Sequence, residues 1–414
     1  MLTIEQKKQF DEIFEELVNN LDITESQYKA AVSSYNAVGN WLSSKDCILS
    51  KYNPEILPQG SFLIGTMIKP MNDEDDLDID LVCELTGKNI DWTQEDLKTI
   101  VGNRIKENET YKEMLADEGR RCWTLEYRND SEQVKERYHM DILPAIINEG
   151  YNVILEKAFS ETNEMDLESL SIRITDNETD NYKSETDISE WMKSNPFGYG
   201  KWFINRATLS LRKAFSLNES IKPVPTYQKE KLPLQRVVQI LKRHRDKMFL
   251  GDEDKPISII ITTLAGKAYN KETDLFSALS NVISNMESHI DEKYDFELQK
   301  RIKFISNPIN EEENFADKWV DYPKREENFF KWLRKLQSDF KNILNQTNGL
   351  QFINESMKEP FGESLITKTF SNYGERLKGE REKGNLKVAS LTGTIGTIGA
   401  TIKNHNFYGF EEEK

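Results

Sequence analysis

Residues 73–82 read DEDDLDIDLV, with six carboxylates in the first eight positions and an apolar turn at Leu81 and Val82. A calcium loop of the EF-hand type needs glycine at its sixth position and glutamate at its twelfth. Counting from Asp76, those positions hold Leu81 and Gly87, so that reading fails. A solvated acidic loop accounts for Asp73 to Asp76 but not for Asp78 and Asp80, which alternate with Leu77, Ile79 and Leu81. On a strand, residues i and i+2 share a face. Leu77, Ile79 and Leu81 can then enter a core while both aspartates point the other way. Two carboxylates on one strand face repel unless a cation sits between them. Mg²⁺ suits such a pair, because it is held by one or two carboxylates together with substrate phosphates.

Two further sites complete a chemistry. Gly60-Ser61 lies at a chain break ahead of that strand; alone it marks a turn. Before an alternating DxD strand it fits a phosphate contact, with glycine admitting close approach and the hydroxyl adding a hydrogen bond. No GxxxxGK[ST] motif is present. Asp141, in YHMDILPAI, is a single acid in an apolar run. It is either an acid bonded to a turn or the third member of a two-metal triad, in which one ion activates a 3′-hydroxyl and the other holds a triphosphate.

These residues need a frame. Residues 3–50 read as helices, with a capping box from Thr24 to Gln27. Residues 77–85 read as a strand, 93–105 as a helix, Trp123–Arg128 and Arg137–Leu143 as two strands joined across Asn129-Asp130, and Ser171–Thr175 as another. The polar DNETDNYKSETD stretch, 176–187, reads as a mobile loop. Helical spacing recurs at 188–193, 200–214, 231–250, 256–269, 273–304 and 326–346, with no further sheet expected before the Gly-rich tail. The expected fold class is α+β. Residues 1–185 would carry N-terminal helices and a mixed-sheet catalytic core, and 186–414 a helical domain completing a nucleotide cleft, with a C-terminal tail.

GSFLIGTMIKP, DDLDIDLV and HMDILPAI resemble the core of the DNA polymerase β-like nucleotidyltransferase superfamily. With NPFGYGKWF, LPLQRVVQILKRHRD, NPINEEENFADKW and HNFYGF, they resemble more narrowly the bacterial cGAS/DncV-like nucleotidyltransferases (CD-NTases) of CBASS anti-phage systems. The resemblance implies a polymerase β-like core and a cytoplasmic synthase of cyclic di- or trinucleotides from NTPs, ATP among them. It implies two Mg²⁺ ions, or Mn²⁺, on Asp78, Asp80 and Asp141, and a triphosphate bound by Gly60 and Ser61. It also implies Lys242 and Ser258 at the phosphates, and CBASS effector or regulatory proteins as partners. Lys242 in KRHRD reads equally as a solvated basic helix face, and Ser258 as an N-cap of the following helix. Some relatives carry a stacking aromatic directly after that serine; this chain has Ile259, so base stacking must come from elsewhere.

The 414 residues carry 55 basic and 71 acidic side chains, a formal charge of −16. Duplex binding relies on cationic side chains that neutralise phosphates, so no extended nucleic-acid surface is expected. No apolar run approaches the roughly 18–20 residues of a membrane span, and no secretion signal opens the chain. The three cysteines are far apart, which fits neither a disulfide framework nor a zinc site. Two alternatives stay open: an enzyme that extends RNA ends, for which 229–247 would be the basic track, and a non-catalytic nucleotide-binding regulator.

Overall fold

The computed structural model describes residues 2–71, 77–127, 138–147, 167–208, 227, 229–296, 298–390 and 392–402. Asp73 to Asp76, the Asn129-Asp130 connection and the HNFYGF tail lie outside the described residues.

A six-stranded mixed sheet is the scaffold. Its strands are β1 (Glu55–Pro58), β2 (Leu77–Thr86), β3 (Trp123–Tyr127), β4 (Tyr138–Ile147), β5 (Ile172–Ile174) and β6 (Met192–Ser194). β2 and β4 run parallel over ten residue pairs, and β1 pairs antiparallel with the free side of β2. β3 and β5 share the far side of β4, and β6 closes the sheet beyond β5. Alternation sorts β2 as expected. Leu77, Ile79, Leu81, Cys83 and Leu85 join a core with α2 (Glu25–Leu42) and α4 (Gln94–Lys106). The opposite parity carries Asp78, Asp80, Val82 and Glu84.

Helix α1 (Ile4–Leu21) turns away from this core. Phe10, Ile13, Phe14 and Leu17 pack with the C-terminal helices, and Phe10 and Phe14 meet Phe276 and Phe340 with ring centroids 6.2 and 6.0 Å apart. The short α3 (Gly60–Ile64) and α5 (Glu109–Met114) flank the sheet. The later helices are α6 (Pro196–Ala207), α7 (Pro233–Met248), α8 (Ser258–Ala268), α9 (Leu275–Asn285), α10 (Pro323–Leu344), α11 (Leu350–Phe361) and α12 (Glu363–Glu382). No described helix is long and apolar enough to cross a membrane.

Three expectations are corrected. The 176–187 stretch is anchored: Asp176 is 1 % exposed, accepts from Arg120 Nε at 2.7 Å and Arg121 Nε at 2.9 Å, and Tyr182 is buried. Residues 192–194 are a strand, with only a single 3₁₀ turn before them. The helix expected over 273–304 ends at Asn285, and a hairpin of β7 (Asp291–Asp295) and β8 (Lys300–Phe304) follows. Helices α11 and α12 were not anticipated. The tail forms a three-stranded sheet from Lys387–Val388, Ile395–Gly396 and Ala400–Thr401.

Candidate active site

The parallel register sets Asp80 directly beside Asp141, and Asp78 beside His139. Asp78, Asp80 and Asp141 line one cleft of about 900 Å³, together with Gly60, Ser61, Lys242 and Ser258. Residues from the two halves of the chain, nearly two hundred positions apart, thus face the same space.

Gly60 is required by its contacts. Its φ is +57°, and a Cβ there would run into the Asp80 carboxylate. The turn is pinned by Gln59 N–H donating to the Asp80 carbonyl at 2.9 Å, so the serine hairpin and the acidic strand form one unit. Burial first, then Asp78 and Asp141, push the Asp80 carboxyl up to about 7, with Lys242 opposing. Asp78 is open to solvent yet crowded by the cleft walls. Its carboxyl is raised by burial and by Asp141, against His139, Lys242 and Lys255. Asp141 has one oxygen committed, accepting from the Thr124 hydroxyl at 2.6 Å.

The donor set consists of carboxylate oxygens, as a hard divalent ion demands. The upward shifts of Asp78 and Asp80, set first by burial and then by the neighbouring carboxylates, are a cost that such an ion would offset. Among the described residues no three His, Cys, Asp or Glu side chains already converge on a single point. The three aspartates share a wall rather than a focus.

The far wall comes from α7 and α8. Lys242 is 7 % exposed and its Nζ donates to the Thr66 carbonyl at 3.2 Å; burial lowers its ammonium to about 8. It is not a solvated face residue: Arg243, His244 and Arg245 are buried beside it. The run that could have formed an RNA track is therefore largely internal. Ser258 is the first residue of α8, whose N-cap is Ile257 with no side-chain cap bond, which corrects the capping expectation. Its hydroxyl instead accepts from Arg245 Nη1 at 2.9 Å.

The sequence reading missed His139, Lys255, Asn195, Tyr199, Asn307, Glu313 and Phe315, all of which line the cleft. His139 carried a signal in its strand parity with Asp141; Asn195, Tyr199, Asn307, Glu313 and Phe315 lay in stretches that carried the family resemblance but no assigned role, and Lys255 carried none. Where position 259 supplies no ring, Tyr199, Phe249 and Phe315 line the cleft, and the Tyr199 and Phe315 ring centroids lie 6.1 Å apart, edge to face.

A Gly-Ser turn locked to a DxD strand, with a third aspartate on the parallel neighbour and cationic helices opposite, defines a nucleotidyltransferase. Residues 9–168 match the family model of the Second Messenger Oligonucleotide or Dinucleotide Synthetase domain. The chain is 29 % identical to the c-di-GMP synthase of Roseivirga ehrenbergii, covering 93 % of this chain and 92 % of that protein. It is 21 % identical to the cyclic dinucleotide synthase CdnG of Bradyrhizobium diazoefficiens, covering 93 % and 90 %. The solved structure of CdnG from that organism with GTP shares the fold, with a TM-score of 0.62 at 19 % identity over 88 % of this chain and 99 % of that one. CdnC of E. coli MS115-1 with ATP does so at a TM-score of 0.54 and 12 % identity, over 85 % and 98 %. The chain is a nucleotidyltransferase, an enzyme, and is similar along nearly its whole length to cyclic dinucleotide synthases and, in fold, to CD-NTases of known structure.

Proposed function

We propose that the protein joins two nucleoside triphosphates into a cyclic dinucleotide that serves as a second messenger in anti-phage defence, acting in the cytosol with an effector or regulatory protein downstream. The observation that carries this is the Asp80–Asp141 register, with Asp78, Ser61 and Lys242 in the same cleft. In this reading residues 1–185, with β6 closing their sheet, form the catalytic core and the rest of 186–414 the second wall, with α1 crossing to pack on the latter.

Asp78, Asp80 and Asp141 would hold two Mg²⁺ ions, or Mn²⁺, which would supply charge neutralisation at the triphosphate and acidify the attacking hydroxyl. Gly60 lets the backbone close on the phosphates and Ser61 donates its hydroxyl to them. Lys242, Ser258 and the Arg245 that orients Ser258 face them from the helical side. The chain thus holds one nucleotide's 3′-hydroxyl in line with the α-phosphate of another. A new phosphodiester forms, pyrophosphate leaves, and a second turnover closes the ring. An RNA-end enzyme is disfavoured because the basic stretch of α7 is buried, and a relic binder because the costly paired acids are intact.

The test is product analysis. Pure protein with labelled NTPs and Mg²⁺ or Mn²⁺ should yield phosphatase-resistant label, absent with EDTA, because a ring has no terminal phosphate. Product that phosphatase strips, or that forms only with added RNA, would refute the cyclase reading.

A further inference from the structure

The loop joining β8 to α10 forms part of the cleft wall and is unusually well tied down. Asn307 N–H donates to the Glu313 carbonyl and Phe315 N–H to the Ile305 carbonyl, both at 2.9 Å. The Asn314 side chain accepts from Ile305 N–H at 2.8 Å and Ala316 N–H at 2.9 Å, and donates to the Lys303 carbonyl at 2.9 Å. Lys267 on α8 clamps Ser306 through its carbonyl at 2.8 Å and its hydroxyl at 2.7 Å. Such a loop holds its side chains in place before any ligand arrives.

Two of those side chains matter. Phe315 offers a ring to the cleft, braced by Tyr199, whose hydroxyl pairs with Thr263 at 2.9 Å. Glu313 offers a carboxylate. Its Oε2 accepts from Asn307 Nδ2 at 2.7 Å, and Asn307 Oδ1 in turn accepts from Ile309 N–H at 3.0 Å, which fixes the direction of the amide. Among the described residues Glu313 has no cationic partner. It is oriented by the Asn307 amide, and a second carboxylate oxygen remains to accept.

A negative side chain in a triphosphate cleft repels the phosphates, so its partner is at the other end of the nucleotide. Beside an aromatic ring that end is the base. Guanine places two adjacent donors, N1–H and N2–H, in one plane, a match for a carboxylate. Adenine presents the acceptor N1 beside N6–H, cytosine the acceptor N3 beside N4–H, and uracil a single N3–H between two carbonyls; each sets a lone pair against the carboxylate. We propose that Glu313 reads the Watson–Crick edge of a guanine stacked on Phe315, so that at least one of the two nucleotides joined is GTP. This rests on the nucleotidyltransferase reading above and adds base choice to it.

The test is equilibrium binding of GTP, ITP and ATP analogues with a non-hydrolysable α,β-methylene link. Wild type should prefer GTP to ITP, which lacks the N2 amine, and ITP to ATP. Glu313→Gln should lose GTP affinity on the order of ten- to a hundredfold, because a charged acceptor is replaced and its donors are left mismatched. It should leave ATP within about twofold, which also controls for folding, and shrink the GTP–ITP gap. Equal loss for GTP and ATP would assign Glu313 to the ribose or to loop structure and overturn the proposal, as would wild-type protein that binds ATP or ITP as well as GTP. Binding of no triphosphate at all would overturn the functional reading beneath it too.

Discussion

Asp80→Asn tests the electrostatics of the site without relying on catalysis. Burial and the neighbouring Asp78 and Asp141 raise the Asp80 carboxyl from 3.8 to about 7. The metal-free folded chain therefore holds a proton that the unfolded chain releases, and stability is lost as pH rises from about 4 through about 7. Roughly three pK units at about 1.4 kcal/mol each set a ceiling of about 4 kcal/mol. Water in the cleft screens the carboxylate, so about 1–3 kcal/mol is the expected size. Asparagine has the same shape, so it fits against Gly60, and it carries no charge. In EDTA at pH 8 the variant should melt a few degrees above wild type; at pH 4 the two should coincide. Mg²⁺ should raise the wild-type melting temperature at pH 8 and leave the variant's nearly unchanged, while nucleotide transfer is abolished. The assay is thermal unfolding from pH 4 to 8 with and without EDTA. A variant no more stable than wild type at pH 8 without metal would show that the aspartates do not repel one another as argued, and would remove the physical reason for a cation there.

Lys242→Met keeps the buried stem but removes the ammonium. NTP affinity should fall about tenfold or more while the fold persists, and wild-type but not variant affinity should weaken above about pH 8, where the lysine loses its proton. Gly60→Ala forces a side chain into a left-handed position and against Asp80, so stability should drop by about 1–2 kcal/mol or more in chemical denaturation, with activity lost. Glu84 is 2 % exposed and sits opposite Glu55; burial and that neighbour push it up from 4.5 to about 8. A raised carboxyl loses stability as pH rises through that window. Glu84→Gln should therefore flatten the wild-type decline between about pH 4.5 and 8 and leave transfer intact; an unchanged pH profile would refute the assignment. Asp78→Asn should abolish transfer and Asp76→Asn should retain most of it; a dead Asp76 variant with an active Asp80 variant would shift the acidic pair by one register.

The near wall of the site was legible because strand parity is a local property. Leu77, Ile79 and Leu81 fix which face Asp78 and Asp80 take, and the apolar flanks of Asp141 mark a neighbouring buried strand. Of the far wall, Lys242 and Ser258 came from the family resemblance, and the loop beside them was not legible from spacing. Asn307, Glu313 and Phe315 sit in a loop with no periodicity, and what fixes their place is a set of backbone bonds invisible in a linear sequence. The β7–β8 hairpin carries no strand signal because DEKYD is almost wholly exposed and KRIKF buries only Phe304, so no core demanded apolar alternation from them. Helix α1 read correctly as a helix, but its partners, Phe276 and Phe340, lie more than 250 residues away.

The basic run of α7 shows how the two walls are held together. Gln235 donates to the Ile64 carbonyl at 2.8 Å, Gln239 to the Met67 carbonyl at 2.7 Å and Lys242 to the Thr66 carbonyl at 3.2 Å. Spaced at i, i+4 and i+7, these side chains lie on one helix face. All three grip the segment that links the Ser61 turn to the acidic strand. Asp22, 6 % exposed, completes the grip by accepting from Lys231, from Arg236 at 3.4 Å and from Gln239 at 3.2 Å. Backbone carbonyls buried at this junction would otherwise lack partners, at a cost of about 1–3 kcal/mol each. The long polar side chains of α7 are therefore inside for a physical reason. They satisfy the main chain that carries Ser61, and in doing so they set Lys242 opposite Asp78 and Asp80. In a chain with a net charge of −16, this keeps a cation in the cleft that carries the three aspartates.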